Sequence, residues 1–375
     1  MNLTFTPSEE AFRQECRSWL EANVPVEVYA SGDTREGFFQ HVEWEKKLFE
    51  ARWAVVSWPE DYGGRGATLM EWLIFEEEYY RAGAPARVTQ NGIFLLAPTL
   101  FEFGTDEQKA RILKPMAAAE YLWGQAWSEP EAGSDLANVK STARRVEGGW
   151  RLQGQKTWCT RGAFCDAIYG LFRTDTDSER HRGLTYFMVP LDAEGITVRG
   201  VERLDGDESF AEIFLDDVFV ADSEIIGEVN KGWGVAMATT SSERGLSLRS
   251  PGRFMATATR LIALWNRRKD PRLRDRVVQM WMDAEAYRLY TFQSVTRMMQ
   301  GGQLGADSSL NKIFWSEMDI AGHEVALEML GSDAEIDEDN RWLRDYMFAL
   351  AGPIYAGTNE IQRMIVARRV LELPR

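Results

Sequence analysis

The sequence predicts an α+β multidomain protein. An N-terminal α-helical domain spans 1–120, a central β-barrel 121–228 and a C-terminal four-helix bundle 229–375. Three observations carry this. The apolar pattern runs at helical spacing, changes to short β-branched and aromatic runs, then returns to helical spacing. Gly- and Pro-containing clusters punctuate the runs. A length of 375 residues suits two or three packed units rather than one small core.

In the first segment, "PSEEAFRQECRSWLEANV" begins with Ser8 as a possible N-cap and acids in the first turn. Its Phe12, Cys16, Trp19 and Leu20 share one face. "HVEWEKKLFEARW" and "TLMEWLIFEEEYYRAG" repeat the pattern, separated by the loop "SWPEDYGGRGAT" with Pro59 and three glycines. In the second segment, "WRLQGQKTWCT", "AIYGLFRTD", "RGLTYFMVPL", "ITVRGVERL" and "AEIFLDDVFV" read as short strands of a barrel or sandwich. In the third, "LRDRVVQMWMDAEAYRLYTFQSVTRMM" is long and amphipathic. "SSLNKIFWSEMDIAGHEVALEML" follows with Ser308 or Ser309 as cap, and a final helix starts near Gly357.

Bulk composition excludes several function classes. Apolar residues at 45% and aromatics at 12% give a globular chain, not a disordered one. A net charge of -15 argues against a broad nucleic-acid surface, which needs excess Lys and Arg, and against an anionic membrane as partner. Cys16, Cys159 and Cys165 make no disulfide framework and no CxxC pair, so no metal is expected. His41, His181 and His323 lie far apart, without ligand spacing. The N-terminus lacks the basic and apolar regions of a signal peptide, and no apolar run approaches the roughly 20 residues of a membrane helix. The expectation is a cytoplasmic protein.

The stretch "AWSEPEAGSDLANVKSTARRVEGGWRLQGQKTWCTRGAFCDAIYG" closely resembles the acyl-CoA dehydrogenase family. So do "DDVFVADSEIIGEVNKGWGVAM" and "IYAGTNEIQRMIVARRVL". The loop "WPEDYGGRG" and the later "FGTDEQKARIL" match the family's N-terminal domain. The matches cover nearly the whole chain in the family's domain order. The resemblance implies the acyl-CoA dehydrogenase fold, FAD as cofactor, and removal of two hydrogens from Cα and Cβ of an acyl-CoA thioester to give the trans-2-enoyl-CoA. A carboxylate takes the α-proton, FAD accepts the β-hydride, and donors at the thioester oxygen stabilise developing charge. It implies an electron-transfer flavoprotein as acceptor.

Residue by residue, the resemblance assigns Ser128, Trp158 and Thr160 to the flavin ring, and Ser134 to the cofactor or the CoA pyrophosphate. From local sequence alone Trp158 reads as a barrel core residue and Ser134 as a turn former. Gly357, Thr358 and Glu360 match positions at the cofactor's ribityl and phosphate region, where a Gly-Thr pair opening a helix leaves free N–H groups for anions. Gln362 and Arg363 read as packing and surface residues.

The base is displaced. Ala356 stands where several members carry the catalytic glutamate. The isovaleryl- and long-chain-type members place it instead in a Glu-Arg pair after "GW..AM". In "GWGVAMATTSSERGLSLRS" that match is Glu243, with Arg244 beside it on the ligand side. A carboxylate desolvated in an apolar cleft becomes a stronger base while it stays ionised.

Two departures bear on assembly. The family's Arg–Phe-Gly–Gln loop, which holds a neighbouring subunit's FAD, reads here "NRRKDPRLRDR", with six basic residues and two acids. Arg272, Arg274 or Arg276 is the candidate replacement, and Pro271 opens the next helix. The usual Gln…Gly-Gly segment reads "EMLGSDAEI". Both losses occur in actinobacterial-type members, some of which pair two related chains. The expected assembly is therefore a homo-oligomer (dimer or tetramer) or a heterotetramer with a related chain. The alternatives to a dehydrogenase are a non-catalytic partner subunit and a same-fold flavin oxidase.

Overall fold

In a computed structural model, the described residues are 4–246, 250–302, 305–306, 308–336 and 341–374, and the side chains of 241–246 and 250 lie outside the description. The first helices are α1 (Pro7–Asn23), α2 (Arg35–Glu50), α3 (Leu69–Arg81), α4 (Ala97–Phe103) and α5 (Asp106–Ala117). The strands are β1 (Trp123–Gln125), β2 (Thr142–Val146), β3 (Gly149–Cys159), β4 (Ala167–Arg173), β5 (Leu184–Pro190), β6 (Ile196–Val201), β7 (Phe210–Ala221) and β8 (Ile225–Ile226). Helices α6 (Gly232–Leu246), α7 (Ser250–Arg268), α8 (Arg274–Met299), α9 (Ser308–Leu330), α10 (Asp333–Ile336), α11 (Arg341–Ala349) and α12 (Asn359–Arg369) follow.

Local chemistry fixes the helix starts. Thr6, not Ser8, caps α1: its side chain accepts from Glu9 N and the Glu9 carboxylate accepts from Thr6 N. Pro7 fits the first helical position because no N–H is needed there, which moves the start upstream of Ser8. Thr68–Glu71 and Thr105–Gln108 repeat the same reciprocal cap. Ser308 and Ser309 occupy the first two positions of α9 rather than its cap, and Ser308 Oγ donates to Gly305 O at 2.8 Å. Asp270 accepts from Arg272 N, and Pro271 opens the turn into α8 as expected.

The chain divides into two compact units. The first comprises Met1–Val26, Ala67–Ala84 and Arg244–Arg375. There Phe254, Leu261, Met280, Tyr287 and Met329 form a buried core among α7, α8 and α9. Gly252 lies where a Cβ would come 2.8 Å from the Glu76 carbonyl, so α7 passes α3 at backbone contact.

The second unit comprises Glu27–Gly66 and Pro85–Glu243. Its eight strands form one sheet in the order β6-β7-β3-β2-β4-β5-β8, with β1 parallel to β4. Among the described residues the pairing is a path with two ends, so the closed barrel expected from sequence is replaced by an open sheet. Its core gathers Trp150, Leu152, Ile168, Phe172, Phe187 and Ile213. Strands β4 and β5 are buried almost throughout, which explains their unbroken apolar runs.

Candidate active site

The loop leaving β1 and the end of β3 are stitched together where Thr157 N donates to Ser128 O at 2.9 Å. One residue on, β3 loses register with β7 between Lys156 and Cys159. Trp158 sits in that irregularity with φ 56° and is 59% exposed, its ring edge-on to Phe210 at 6.0 Å. A left-handed conformation costs an L-residue roughly 1–2 kcal/mol. The cost persists because Lys156 and Cys159 on either side are fully buried. Trp158 is therefore not the barrel core residue that local sequence suggests.

Thr160 is held from the helical side of the same unit. Asn91 Nδ2 donates to Thr160 O at 3.0 Å, and the Tyr169 hydroxyl donates to Asn91 O at 2.9 Å. Asn91 opens a π-turn (Asn91–Leu96), a wide turn that frees backbone groups and is frequent at functional sites. Arg161 follows with φ 56° and forms an ion pair with Asp33 at 3.0 Å. Burial alone would raise the Asp33 pKa, but Arg161 and Arg203 outweigh it and hold the carboxyl below its ordinary value.

Beneath this surface lies a buried ion pair. Lys156 Nζ donates to Glu129 Oε1 at 2.8 Å and to Leu171 O at 2.7 Å, and lies 4.7 Å from the Phe172 ring centroid. Glu129 also accepts from Lys140 N at 2.6 Å and Ser141 N at 3.0 Å. Burial pushes the Lys156 ammonium down. It would push Glu129 up, but the Lys156 charge and the hydrogen bonds outweigh it and keep the carboxyl low.

Ser134 is exposed in the turn before Leu136. Glu243 and Arg244 fall on α6, and their side chains lie outside the described residues. One turn earlier, Thr239 anchors that helix: its hydroxyl donates to Val235 O at 3.0 Å and pairs with the Thr99 hydroxyl at 2.8 Å. The Tyr186 hydroxyl lies 3.4 Å away and accepts from Trp127 Nε1 at 3.0 Å.

The remaining candidates belong to the first unit. Thr358 caps α12, accepting from Ile361 N at 3.2 Å, and Glu360 is exposed in the first turn. Ala356 and Gly357 both have positive φ, 54° and 78°. Gln362, read from sequence as packing, is buried and donates to the Ala356 and Gly357 carbonyls. Buried Asn359 accepts from Lys312 Nζ at 2.9 Å and Ser316 Oγ at 3.2 Å, fixing the helix start. Arg363 is a surface residue paired with Glu317 at 2.5 Å. Arg272 pairs with Asp270, Arg274 with Asp275 and Arg276 with Glu328, all exposed on the arginine side.

The residues fit a flavin cofactor. The exposed Trp158 indole offers a flat wall, with Thr160 two residues on and the Ser128 segment tied to β3 through Thr157 N. Sequence reasoning missed Asn91, Tyr169, Glu129, Lys156 and Asn359. The one signal for the pair was a lysine inside an otherwise half-buried strand.

The N-terminal, middle and C-terminal domains of acyl-CoA dehydrogenase match residues 6–120, 124–218 and 230–371. Acyl-CoA dehydrogenase IpdE1 of Mycolicibacterium smegmatis is 37% identical over 98% of both chains, and its namesake from Mycobacterium tuberculosis is also 37% identical over 98% of both. A solved structure, the Tcur3481-Tcur3483 steroid ACAD, superposes with a TM-score of 0.90 at 25% identity over the full length of both chains. The ChsE4-ChsE5 complex of Mycobacterium tuberculosis gives 0.79 at 28%, again over both full lengths. The chain belongs to the acyl-CoA dehydrogenase family. It is an FAD-dependent oxidoreductase acting on CH–CH bonds. Among the described residues no helix is long and apolar enough to cross a membrane.

Proposed function

We propose that this chain converts an acyl-CoA thioester to its trans-2-enoyl-CoA, with Glu243 as the base. Bound FAD supplies the two-electron acceptor for the hydride leaving Cβ. Glu243 takes the α-proton, and α6 carries it one turn beyond the Thr239 anchor. Arg244 and Ser134 serve the substrate side. Ser128, Trp158 and Thr160 hold the ring, and Gly357, Thr358 and Glu360 hold the ribityl and phosphate end. The backbone N–H near Ala356 donates to the thioester oxygen, which needs no side chain. The work divides among a helical domain 1–120, a flavin-bearing domain 121–228 and a bundle 229–375.

The observation that carries this reading is the whole-chain match to acyl-CoA dehydrogenases together with an alanine at position 356. The steroid ACAD among the structural neighbours supports a ring-bearing, sterol-derived acyl group. An electron-transfer flavoprotein in the cytoplasm is the proposed acceptor. The test is anaerobic addition of acyl-CoAs, with sterol-derived thioesters included, to the yellow holoprotein. Bleaching in the wild type and none in Glu243→Gln, with flavin retained, is expected. Bleaching that survives in Glu243→Gln removes Glu243 as base.

The mixed pairs among the neighbours favour one second reading, a non-catalytic subunit of a heterotetramer. A protein that folds without FAD and co-purifies with a related chain would establish it. Rapid reoxidation by air with peroxide release would instead mark a flavin oxidase.

A further inference from the structure

The chain must hold an exposed Trp in a conformation that bulky residues avoid, with the Phe210 ring edge-on to an indole that is otherwise mostly exposed. The restraint has to come from within. Lys156 stands two residues before Trp158, and Glu129 directly follows Ser128. Their ion pair thus joins the two segments that carry the flavin-facing candidates. The Thr157 N to Ser128 O bond lies between them, and Glu129 N and Ala132 N each donate to the other's carbonyl. The four acceptor and donor groups around the pair are backbone atoms of Lys140, Ser141 and Leu171 and the paired side chain itself. A fully buried ammonium is a poor source of stability compared with an apolar residue of similar size. Its geometric value is different: a charge with fixed partners admits one arrangement of the chain around it.

We infer that the Lys156–Glu129 pair is the positioning device that sets Trp158 and Ser128 in the geometry that the flavin meets. The inference rests on the reading of Ser128, Trp158 and Thr160 as flavin contacts. The pair touches neither cofactor nor substrate and acts through the two segments it ties.

The experiment compares Lys156→Met with the double variant Glu129→Gln/Lys156→Met. Lys156→Met alone leaves a buried carboxylate without its cation and lowers the melting temperature. The double variant removes both charges, and the single Gln oxygen can accept from one of the Lys140 and Ser141 amides, which bond to different Glu129 oxygens, so its melting temperature recovers part of the loss. Two readouts follow. Hydrogen exchange of FAD-free protein reports residues 126–134 and 156–162. The visible circular dichroism of the holoprotein and its FAD affinity report the ring environment. Faster exchange in both segments, an altered dichroism and affinity weakened about tenfold in the double variant are expected. Wild-type exchange and dichroism in a double variant that is otherwise folded overturn the inference, because the pair is then packing only. Trp158→Phe separates the underlying reading: if it leaves the flavin dichroism unchanged, the flavin does not lie on this surface, whatever the exchange rates show.

Discussion

Gln362 Nε2 donates to the carbonyl of Ala356 at 3.1 Å and to that of Gly357 at 3.4 Å, closing a turn in which both residues have positive φ. A Cβ on Gly357 would stand 2.6 Å from that nitrogen. Gly357→Ala therefore combines backbone strain with loss of the turn's own brace. We expect it to destabilise the protein by about 1–3 kcal/mol and to weaken FAD retention. Thermal unfolding of the apo and holo forms measures both, and an unchanged melting temperature would contradict the role given to this turn.

Glu78 accepts hydrogen bonds from Arg13, Arg17 and Arg81. Burial would raise its pKa, but the three guanidinium groups outweigh that and bring it down to about 2 from an ordinary 4.5. A depressed carboxylate stabilises the folded state above its unfolded pKa and loses that contribution as pH falls through the folded one. Wild-type stability should thus decline between about pH 4.5 and about pH 2. In Glu78→Gln this part of the acid limb should flatten. Urea midpoints across the range give the comparison; equal slopes would show that Glu78 does not set it.

A second buried carboxylate makes a different demand. Glu45 accepts from Val88 N at 2.5 Å, Thr89 N at 2.9 Å, Thr89 Oγ1 at 2.5 Å and Arg87 Nε at 3.0 Å. Glu45→Ala leaves a buried guanidinium and two backbone amides without this acceptor. A loss of about 3–5 kcal/mol is expected, read from equilibrium denaturation. A loss below about 1 kcal/mol would mean that the segment rearranges.

The parts of this fold that were legible in sequence are those with a local cause. Periodicity located α1, α8 and α9, and unbroken apolar runs located β4 and β5, because one face or both faces of each must be buried. Strand β2 reads Thr-Ala-Arg-Arg-Val and gives no such signal; pairing with β3 through the Glu147–Gly148 turn makes it a strand. Barrel closure is not a local property, and the sheet is open. The candidate site residues were read from motif strings, but the contacts that hold their segments were not legible. Asn91 reaches Thr160 across 69 residues of sequence, and Lys156 reaches Glu129 across 27. Neither spacing carries a period that a linear reading detects.

Trp158 itself provides the cleanest separation of folding from cofactor binding. Replacing it with Gly removes the left-handed strain, a gain of roughly 1–2 kcal/mol. The same change loses the edge contact with Phe210, about 0.5–1.5 kcal/mol, and adds unfolded-state freedom worth roughly 0.5–1 kcal/mol. These nearly cancel because the indole is mostly exposed and has little burial to lose. Apoprotein stability in Trp158→Gly should therefore stay within about 1 kcal/mol of wild type. FAD affinity should fall about tenfold or more, since the flat wall is gone. Denaturation of the apoprotein and titration with FAD measure the two quantities independently. A large loss of stability would make Trp158 a structural residue after all, and unchanged affinity would take the flavin off this surface.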